Sequence, residues 1–190
     1  MSKEKILATI RANKPGALPL PEVPSFAPPG QNLTAFFIKM VEAGGGKILE
    51  AETPAALDGL INRAFPDAGQ IYCRVNGCSL GTVADVKAPA ALRGVDLAIL
   101  PACPGVAECG AVWLGEHDLG LRISAFIAQH LVAVLKKEDI VADMHAAYRR
   151  IKTNETGFGV FIAGPSKTAD IEQALVIGAQ GARSFTVVLV

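Results

Sequence analysis

The sequence has no excess of charge of either sign, since 18 Lys and Arg residues balance 18 Asp and Glu residues among 190. Nucleic acids and anionic membrane surfaces select proteins with a basic excess, so the composition argues against both as partners. A net charge of zero also leaves little repulsion between copies. The composition therefore predicts no nucleic-acid partner and is compatible with a homo-oligomer.

Long apolar runs are also missing. The stretch "MSKEKILATIRANK" interrupts its apolar residues with charges, so it does not resemble the apolar segment of a signal peptide. No run approaches the length that spans a bilayer, which predicts no membrane span. We expect a cytoplasmic protein, and its 51% hydrophobic residues suffice for one substantial core.

Cysteine is scarce, and its spacing is not that of a metal site. Cys73, Cys78, Cys103 and Cys109 form C-x4-C and C-x5-C patterns, which match neither a zinc knuckle nor a ferredoxin-type cluster. We expect reduced thiols and no metal. The sequence also lacks "GxGxxG" after its early strands, "GxxxxGK[ST]" and "HExxH". These absences argue against a dinucleotide-binding protein, a P-loop protein and a zinc protease.

What is present is an alternation of predicted strands and helices. "VDLAIL" and "HLVAVL" are apolar on both faces, which is typical of parallel strands covered by helices. The predicted helices span 3–12, 32–43, 53–65, 137–151 and 169–179. One of them opens with Thr53 as N-cap and Pro54 at the first helical position. We predict an α/β fold: a mostly parallel sheet with helices on both faces, and a small antiparallel insertion in which "GAVWLGE" pairs with "LRISAFIA".

The first 30 residues differ from the rest. The predicted helix 3–12 is followed by a proline-rich stretch, and proline both fixes φ and removes a hydrogen-bond donor. This stretch is either an arm laid over the domain or a partner, or a loosely ordered connector. We predict an N-terminal helix and arm over 1–30 and a single α/β domain over 31–190.

The segment "GPSKTAD" follows the predicted strand "GVFIA". Its candidate residues are Gly164, Pro165, Ser166, Lys167, Thr168 and Asp170, with Glu172 two positions further. Glycine permits close approach to the backbone, and the amide hydrogens of a helix start attract anions, so the segment suits an anionic ligand. Alternatively, one of the hydroxyls caps a helix, and the carboxylates of Asp170 and Glu172 stabilise the positive end of that helix. Both interpretations stay open.

Three further side chains are candidates for chemistry. Glu108 lies between glycines in "PGVAECGAVWL" and suits a general base, a nucleophile or a ligand anchor; it is otherwise an exposed turn acid. Arg122 could hold a carboxylate by two parallel hydrogen bonds, or lie on the surface. His130 could exchange protons, or be a polar residue at a strand edge.

These segments together resemble the LUD-domain family, in its lactate-utilisation protein C group. The match covers most of residues 31–190, and "GPSKTADIEQALVIGAQGAR" is its most specific part. The positions that match the family pattern are Glu108, Gly110, Arg122, His130, Gly164, Pro165, Ser166, Thr168, Asp170, Glu172, Gly181 and Arg183. The departures are Cys103, Cys109, Ala111, Lys167, Gln180 and Ala182.

The resemblance implies a fold similar to ribose phosphate isomerases, aminosugar phosphate deaminases and CoA transferases. It also implies a component of a system that oxidises L-lactate to pyruvate, with iron–sulfur clusters on partner oxidoreductase subunits and no cofactor on this chain. The small carboxylate would lie between "AECG" and "GPSKTAD", anchored by Glu108 and Lys167 and assisted by Arg122 or His130. The alternatives are a free-standing enzyme acting on another small anionic substrate, and a non-catalytic assembly module.

Overall fold

A computed structural model describes residues 2–16, 18–19, 21–24, 30–83, 86–152, 157–168 and 176–190. Its helices are α1 Lys3–Ala12, α2 Leu33–Ala43, α3 Leu57–Ala64, α4 Glu116–Leu119, α5 Ser124–Ile127 and α6 Met144–Arg150. Its strands are β1 Lys47–Glu50, β2 Ile71–Cys73, β3 Leu97–Ala102, β4 Gly105–Val106, β5 Ala111–Gly115, β6 His130–Leu135, β7 Ile140–Val141, β8 Gly159–Ile162, β9 Lys167–Thr168, β10 Val176–Ile177 and β11 Ser184–Leu189. Short 3-10 turns cover Pro54–Ala56, Pro89–Leu92 and Lys137–Asp139.

The main sheet has five strands in the order β1-β11-β6-β3-β2, and every neighbouring pair is parallel. Its three inner strands are the runs that are apolar on both faces, because a parallel sheet buries both of its surfaces. The predicted α/β fold with a mostly parallel sheet is therefore confirmed.

Alternate residues of β3 show how both faces are covered. Ile99 packs in one core cluster with Ile61 of α3. Leu100, the next residue, packs on the other face with Phe37 of α2 and Leu114 of β5. Successive side chains of a strand point to opposite faces, so one apolar run supplies both cores.

The predicted small antiparallel part is present as a four-stranded sheet in the order β7-β4-β5-β8, but its predicted pairing is wrong. β5 pairs with β4 and β8, both antiparallel. "LRISAFIA" contains the short helix α5 instead of a strand. Ser124 is buried there, and its hydroxyl donates 2.9 Å to the carbonyl of Leu119, so a polar residue faces the interior and the apparent alternation does not mark a strand.

Two of the predicted helices begin later than expected. The helix over 137–151 is reduced to α6, because Ile140 and Val141 pair with β4 and Asp143 then caps the helix by accepting from the amide of Ala146 at 2.7 Å. The helix predicted from Thr53 opens as a 3-10 turn, in which the amide of Ala56 donates to the carbonyl of Thr53.

The helix predicted over 169–179 is wrong at its end. Val176 and Ile177 form β10, which pairs antiparallel with Lys167 and Thr168 of β9. Residues 169–175 lie outside the described residues, and so do the predicted ligand-binding residues Asp170 and Glu172.

The N-terminal helix is confirmed as α1, and none of its residues is buried. The described parts of the arm, 14–16, 18–19 and 21–24, have no regular secondary structure. No helix among the described residues is long and apolar enough to cross a membrane. The division into an arm and one domain, and the cytoplasmic location, stay predictions.

Candidate functional site

The carboxyl ends of the parallel strands meet at one edge of the main sheet, where ligands of open α/β proteins bind. Arg74 follows β2, Cys103 follows β3 and Lys136 follows β6, and these three strands are neighbours. Two adjoining cavities lie at this edge, and both are lined by Cys103 and Asp118. We call them together the carboxyl-edge cleft.

The larger cavity has a volume of about 790 Å³ and is rich in charged side chains. Its polar lining consists of Arg74, Cys103, Glu116, His117, Asp118, Arg150 and Lys152. The smaller cavity, of about 470 Å³, is more apolar and is lined by Leu57, Val75, Val134 and Val190 beside Lys136 and Asp139. The cleft therefore joins a charged chamber to an apolar one.

The loop 115–120, which contains the short helix α4, forms one wall of the cleft and is bound to the end of β2 by hydrogen bonds. Arg74 Nη2 donates to the carbonyl of His117 at 3.2 Å, and Tyr72 Oη donates to the carbonyl of Leu119 at 3.1 Å. The loop is also closed on itself, because the amide of Gly115 donates to Asp118 Oδ2 at 3.0 Å. These bonds hold His117 and Asp118 at the cavity.

Arg150 and Asp139 form an ion pair of 2.5 Å beside Cys103. The guanidinium also donates to the carbonyl of Asp139 at 3.2 Å, so the pair is held by two hydrogen bonds. Burial raises the pKa of the Cys103 thiol, and the negative charge of Asp139 raises it further against the opposing charge of Arg150. The thiol is therefore protonated at neutral pH and is not an activated nucleophile.

This set of side chains is suited to bind an anion. Guanidinium and ammonium groups hold carboxylates through charge-assisted hydrogen bonds, and the larger cavity presents Arg74 and Lys152 beside Arg150, whose charge is already paired with Asp139. His117 adds an imidazole, the side chain best suited to exchange a proton near neutral pH.

The segment "GPSKTAD" does not lie at this cleft. Its residues Gly164, Pro165, Ser166 and Lys167 line a separate cavity of about 420 Å³ together with Gly181. The segment also contacts the turn before β11, because the amide of Ser166 donates to the carbonyl of Ala182 at 2.9 Å.

The ammonium of Lys167 has a structural partner. It donates to the carbonyl of Gly44, the residue that ends α2. Carbonyls at a helix end lack partners within the helix, and a lysine satisfies them while its charge favours the negative end of the helix dipole. Thr168 follows in β9, paired with Val176.

Glu108 lies at the start of α6 and does not line the cavity of Lys167. Its Oε1 accepts from the amide of Met144 at 2.7 Å, and its own amide donates to the carbonyl of Ala142 at 3.0 Å. A carboxylate there satisfies an amide of the first helical turn and favours the positive end of the helix. Its predicted catalytic role stays a prediction beside this capping role.

Substitution of Glu108 separates the two roles. A cap predicts that Glu108→Ala lowers the free energy of unfolding by about 1 kcal/mol, because one amide loses its acceptor. Glu108→Gln keeps an acceptor oxygen and should cost less than half of that, with cellular function retained. The measurement is urea unfolding with a growth assay, and loss of function in Glu108→Gln at unchanged stability would favour a catalytic carboxylate.

Arg122 lies at the surface outside the cleft. It pairs with Glu116 at 2.7 Å and lies over the ring of Phe158 at 5.0 Å, with 61% of its side chain exposed. An ion pair so exposed contributes at most about 1 kcal/mol. Glu116 lines the larger cavity, so Arg122 adjoins the cleft without lining it.

His130 and Arg183 lie at the opposite edge of the main sheet. His130 is the first residue of β6, and Arg183 precedes the first residue of β11. Both line a fourth cavity, which also contains Lys47 and Ser184. The predicted site residues are therefore distributed over several places instead of one pocket.

Sequence reasoning missed Arg74, His117, Asp118, Arg150 and Lys152. One signal for Arg74 was available, because it directly follows a strand, as Cys103 does. The rule that ligands bind at carboxyl ends, applied to every strand and not only to recognised motifs, would have selected both.

The described residues contain no group of three or more His, Cys, Asp or Glu side chains placed to hold a metal ion. Cys73, Cys78, Cys103 and Cys109 are free thiols. That this chain binds no cofactor stays a prediction.

Comparison with known proteins supports the fold. A crystal structure of a DUF162 family protein from Deinococcus radiodurans is similar to this chain with a TM-score of 0.61 and 16% sequence identity. The similarity covers 83% of this chain and 95% of that one. The predicted likeness to ribose phosphate isomerases, deaminases and CoA transferases stays a prediction.

Sequence comparison identifies two similar proteins, each called Lactate utilization protein C. The one from Shouchella clausii is 37% identical over 82 residues, which is 40% of this chain and 35% of that protein. The one from Anoxybacillus flavithermus is 37% identical over 87 residues, which is 45% of this chain and 39% of that protein. The matches thus span little more than a third of the length of these relatives. The LUD domain model matches residues 90–190, more than half of the chain, and so the chain belongs to the LUD domain family.

Proposed function

We propose that this chain is a component of a cytoplasmic system that oxidises L-lactate to pyruvate, working beside iron–sulfur partner subunits. The observation that carries the proposal is membership of the LUD domain family together with 37% identity to two proteins called Lactate utilization protein C. In this proposal the clusters are held by the partners, and this chain contributes a site for a small anion.

The carboxyl-edge cleft is the place that best suits this anion. Arg74 and Lys152 supply positive charge for a carboxylate, and His117 supplies a group that can exchange a proton. The hydrogen bond of Arg74 to the backbone carbonyl of His117 places the two residues on the same wall of the cleft. A carboxylate held by Arg74 would therefore lie near His117.

Growth on L-lactate tests this proposal. Deletion of the gene should abolish growth on L-lactate as sole carbon source and leave growth on glucose unchanged. The wild-type gene and Arg93→Gln, a control at an exposed residue outside the cleft, should restore growth. Arg74→Gln should restore less than a tenth of the wild-type rate, because a neutral amide cannot neutralise a carboxylate.

Two outcomes contradict different parts of the proposal. Normal growth of the deletion strain on L-lactate would contradict the metabolic role, whereas full restoration by Arg74→Gln would contradict only the assignment of the anion site to the cleft.

The partner claim is tested by purifying the tagged chain from lactate-grown cells. Iron and acid-labile sulfide should co-purify with it, and a chain purified without them contradicts the partner claim.

A second candidate function is a free-standing enzyme that acts on a larger anionic substrate. The observation that favours it is the volume of about 790 Å³, within the range of drug-sized ligand sites and more than a three-carbon acid fills. Thermal-shift measurements on the isolated chain with L-lactate, sugar phosphates and CoA thioesters compare the two. A ligand at a hundred times its Kd stabilises by about 2.7 kcal/mol, so stabilisation by a larger anion but not by L-lactate favours this candidate.

A further inference from the structure

The fourth cavity, at the amino ends of the parallel strands, is polar and has a volume of about 540 Å³. Lys47 opens β1, Ser184 opens β11, His130 opens β6 and Asp96 directly precedes β3. These strands are consecutive in the sheet, and His130 pairs in register with both Ser184 and Leu97. Polar side chains that are far apart in sequence are therefore brought to one edge.

Hydrogen bonds hold the back of this cavity. Ser184 Oγ and His130 Nδ1 share a bond of 2.7 Å. Asp96 Oδ2 accepts from the amides of Gly69 at 2.9 Å and Gln70 at 2.8 Å, so this carboxylate is engaged by the backbone before β2. The imidazole is thus fixed by its neighbour, and Asp96 Oδ2 is occupied by two backbone amides, although the carboxylate keeps its charge.

The lining contains two cations, Lys47 and Arg183, beside the two acids Asp67 and Asp96. Neither Lys47 nor Arg183 forms an ion pair with a carboxylate within the part of the chain that the structure describes. Burial lowers the pKa of His130, the charge of Arg183 lowers it further, Asp96 partly opposes this, and Lys47 adds to the decrease. Asp67 is the other acid of the lining and is exposed, as Lys47 and Arg183 are.

We propose that this cavity binds a compact oxyanion of the phosphate type between Lys47, His130 and Arg183. The lining offers an ammonium, an imidazole and a guanidinium, and a tetrahedral oxyanion has enough acceptor oxygens to use all three. The hydroxyl of Ser184 adds a further donor when the protonated imidazole of His130 donates to its oxygen. The strands of six residues separate this site from the carboxyl-edge cleft by about 20 Å. The two sites therefore do not share a ligand.

Anion binding and protonation of His130 are linked. A bound dianion stabilises the imidazolium, so it raises the pKa of His130 toward or above its ordinary value. By the same linkage, binding takes up a proton, and affinity increases as the pH falls through the ordinary range of histidine titration. Affinity becomes constant once the free imidazole is already protonated.

The test is to follow the three histidine rings of the full chain by NMR during pH titration. Sulfate is the probe, because it remains a dianion throughout, and chloride at the same ionic strength is the control. We expect sulfate to raise the pKa of His130 by about one unit and to shift His145, which lines neither of the two proposed anion sites, by much less. Lys47→Gln and Arg183→Gln should each reduce the shift by more than half.

Other outcomes overturn the proposal: no shift at His130, equal shifts at all three histidines, or a full shift in both variants. Inorganic phosphate and methyl phosphate at equal concentration then distinguish a free anion from a monoester. A shift with both supports a phosphorylated metabolite, and a shift with inorganic phosphate alone supports the free ion. If L-lactate at the same concentration produces a larger shift than sulfate, the site is a carboxylate site and the phosphate assignment is wrong.

Discussion

Gly110→Ala should lower the free energy of unfolding by about 3 kcal/mol or more. Gly110 has a φ of +65°, and an added Cβ would lie 2.5 Å from the amide nitrogen of Val41 and 2.7 Å from the carbonyl carbon of Met40. Both atoms belong to the backbone of α2, which cannot turn away as a side chain can. The left-handed conformation costs about 1 kcal/mol and overpacking typically adds about 1–3 kcal/mol.

Gly77→Ala is the matched control for this prediction. Gly77 has a φ of +82°, but an added Cβ would have nothing within 4 Å, so only the conformational cost of about 1 kcal/mol applies. Urea unfolding of the two variants, with equal m-values, gives the difference. Equal losses of unfolding free energy in the two variants would show that Gly110 does not pack closely against α2. Its predicted role in ligand binding would then be the better explanation of the glycine.

Gly120→Ala should lower the free energy of unfolding by about 2–3 kcal/mol and also abolish restoration of growth on L-lactate. Gly120 has a φ of +66°, and an added Cβ would overlap Tyr72 Oη and lie 3.1 Å from Arg74 Nε. Tyr72 would have to leave the carbonyl of Leu119, and Arg74 would move with it. The variant therefore disturbs the wall of the carboxyl-edge cleft by displacing Tyr72 and Arg74.

A double-mutant cycle with Tyr72→Phe tests that cause. Tyr72→Phe alone removes one buried hydrogen bond and should cost about 1 kcal/mol. In the Gly120→Ala background it also removes the hydroxyl that meets the new methyl group. The double variant should then lose less stability than the sum of the two single variants, and strictly additive losses would contradict the steric explanation.

The inner strands of the main sheet were predictable because their burial on both faces requires a continuous run of apolar residues in the sequence. A strand covered on both faces has no polar side, so β3, β6 and β11 read as continuous apolar runs. The short strands have no such run of apolar residues. β7 and β9 have two residues each, and their pairing with β4 and β10 depends on chain segments that the local pattern does not contain.

The candidate site was predictable only as a set of residue types. Motif resemblance selected Glu108, Lys167 and His130, but the structure places one at a helix start, one at a helix end and one at the amino edge of the sheet. Arg74 and His117 are 43 residues apart and meet because the loop 115–120 folds back onto β2. No spacing in the sequence expresses that contact.

The sequence by itself therefore determined the α/β class, the buried strands and the family, because apolar periodicity and a long motif are local properties of the chain. Tertiary structure alone decided which edge of the sheet each polar side chain occupies. It placed Glu108 at a helix start and Lys167 at a helix end, and it brought Arg74, Cys103, His117 and Asp118 to one cleft. The physical reason is that parallel strands align their ends whatever their order in the chain, so the neighbours of a functional group are set by sheet order.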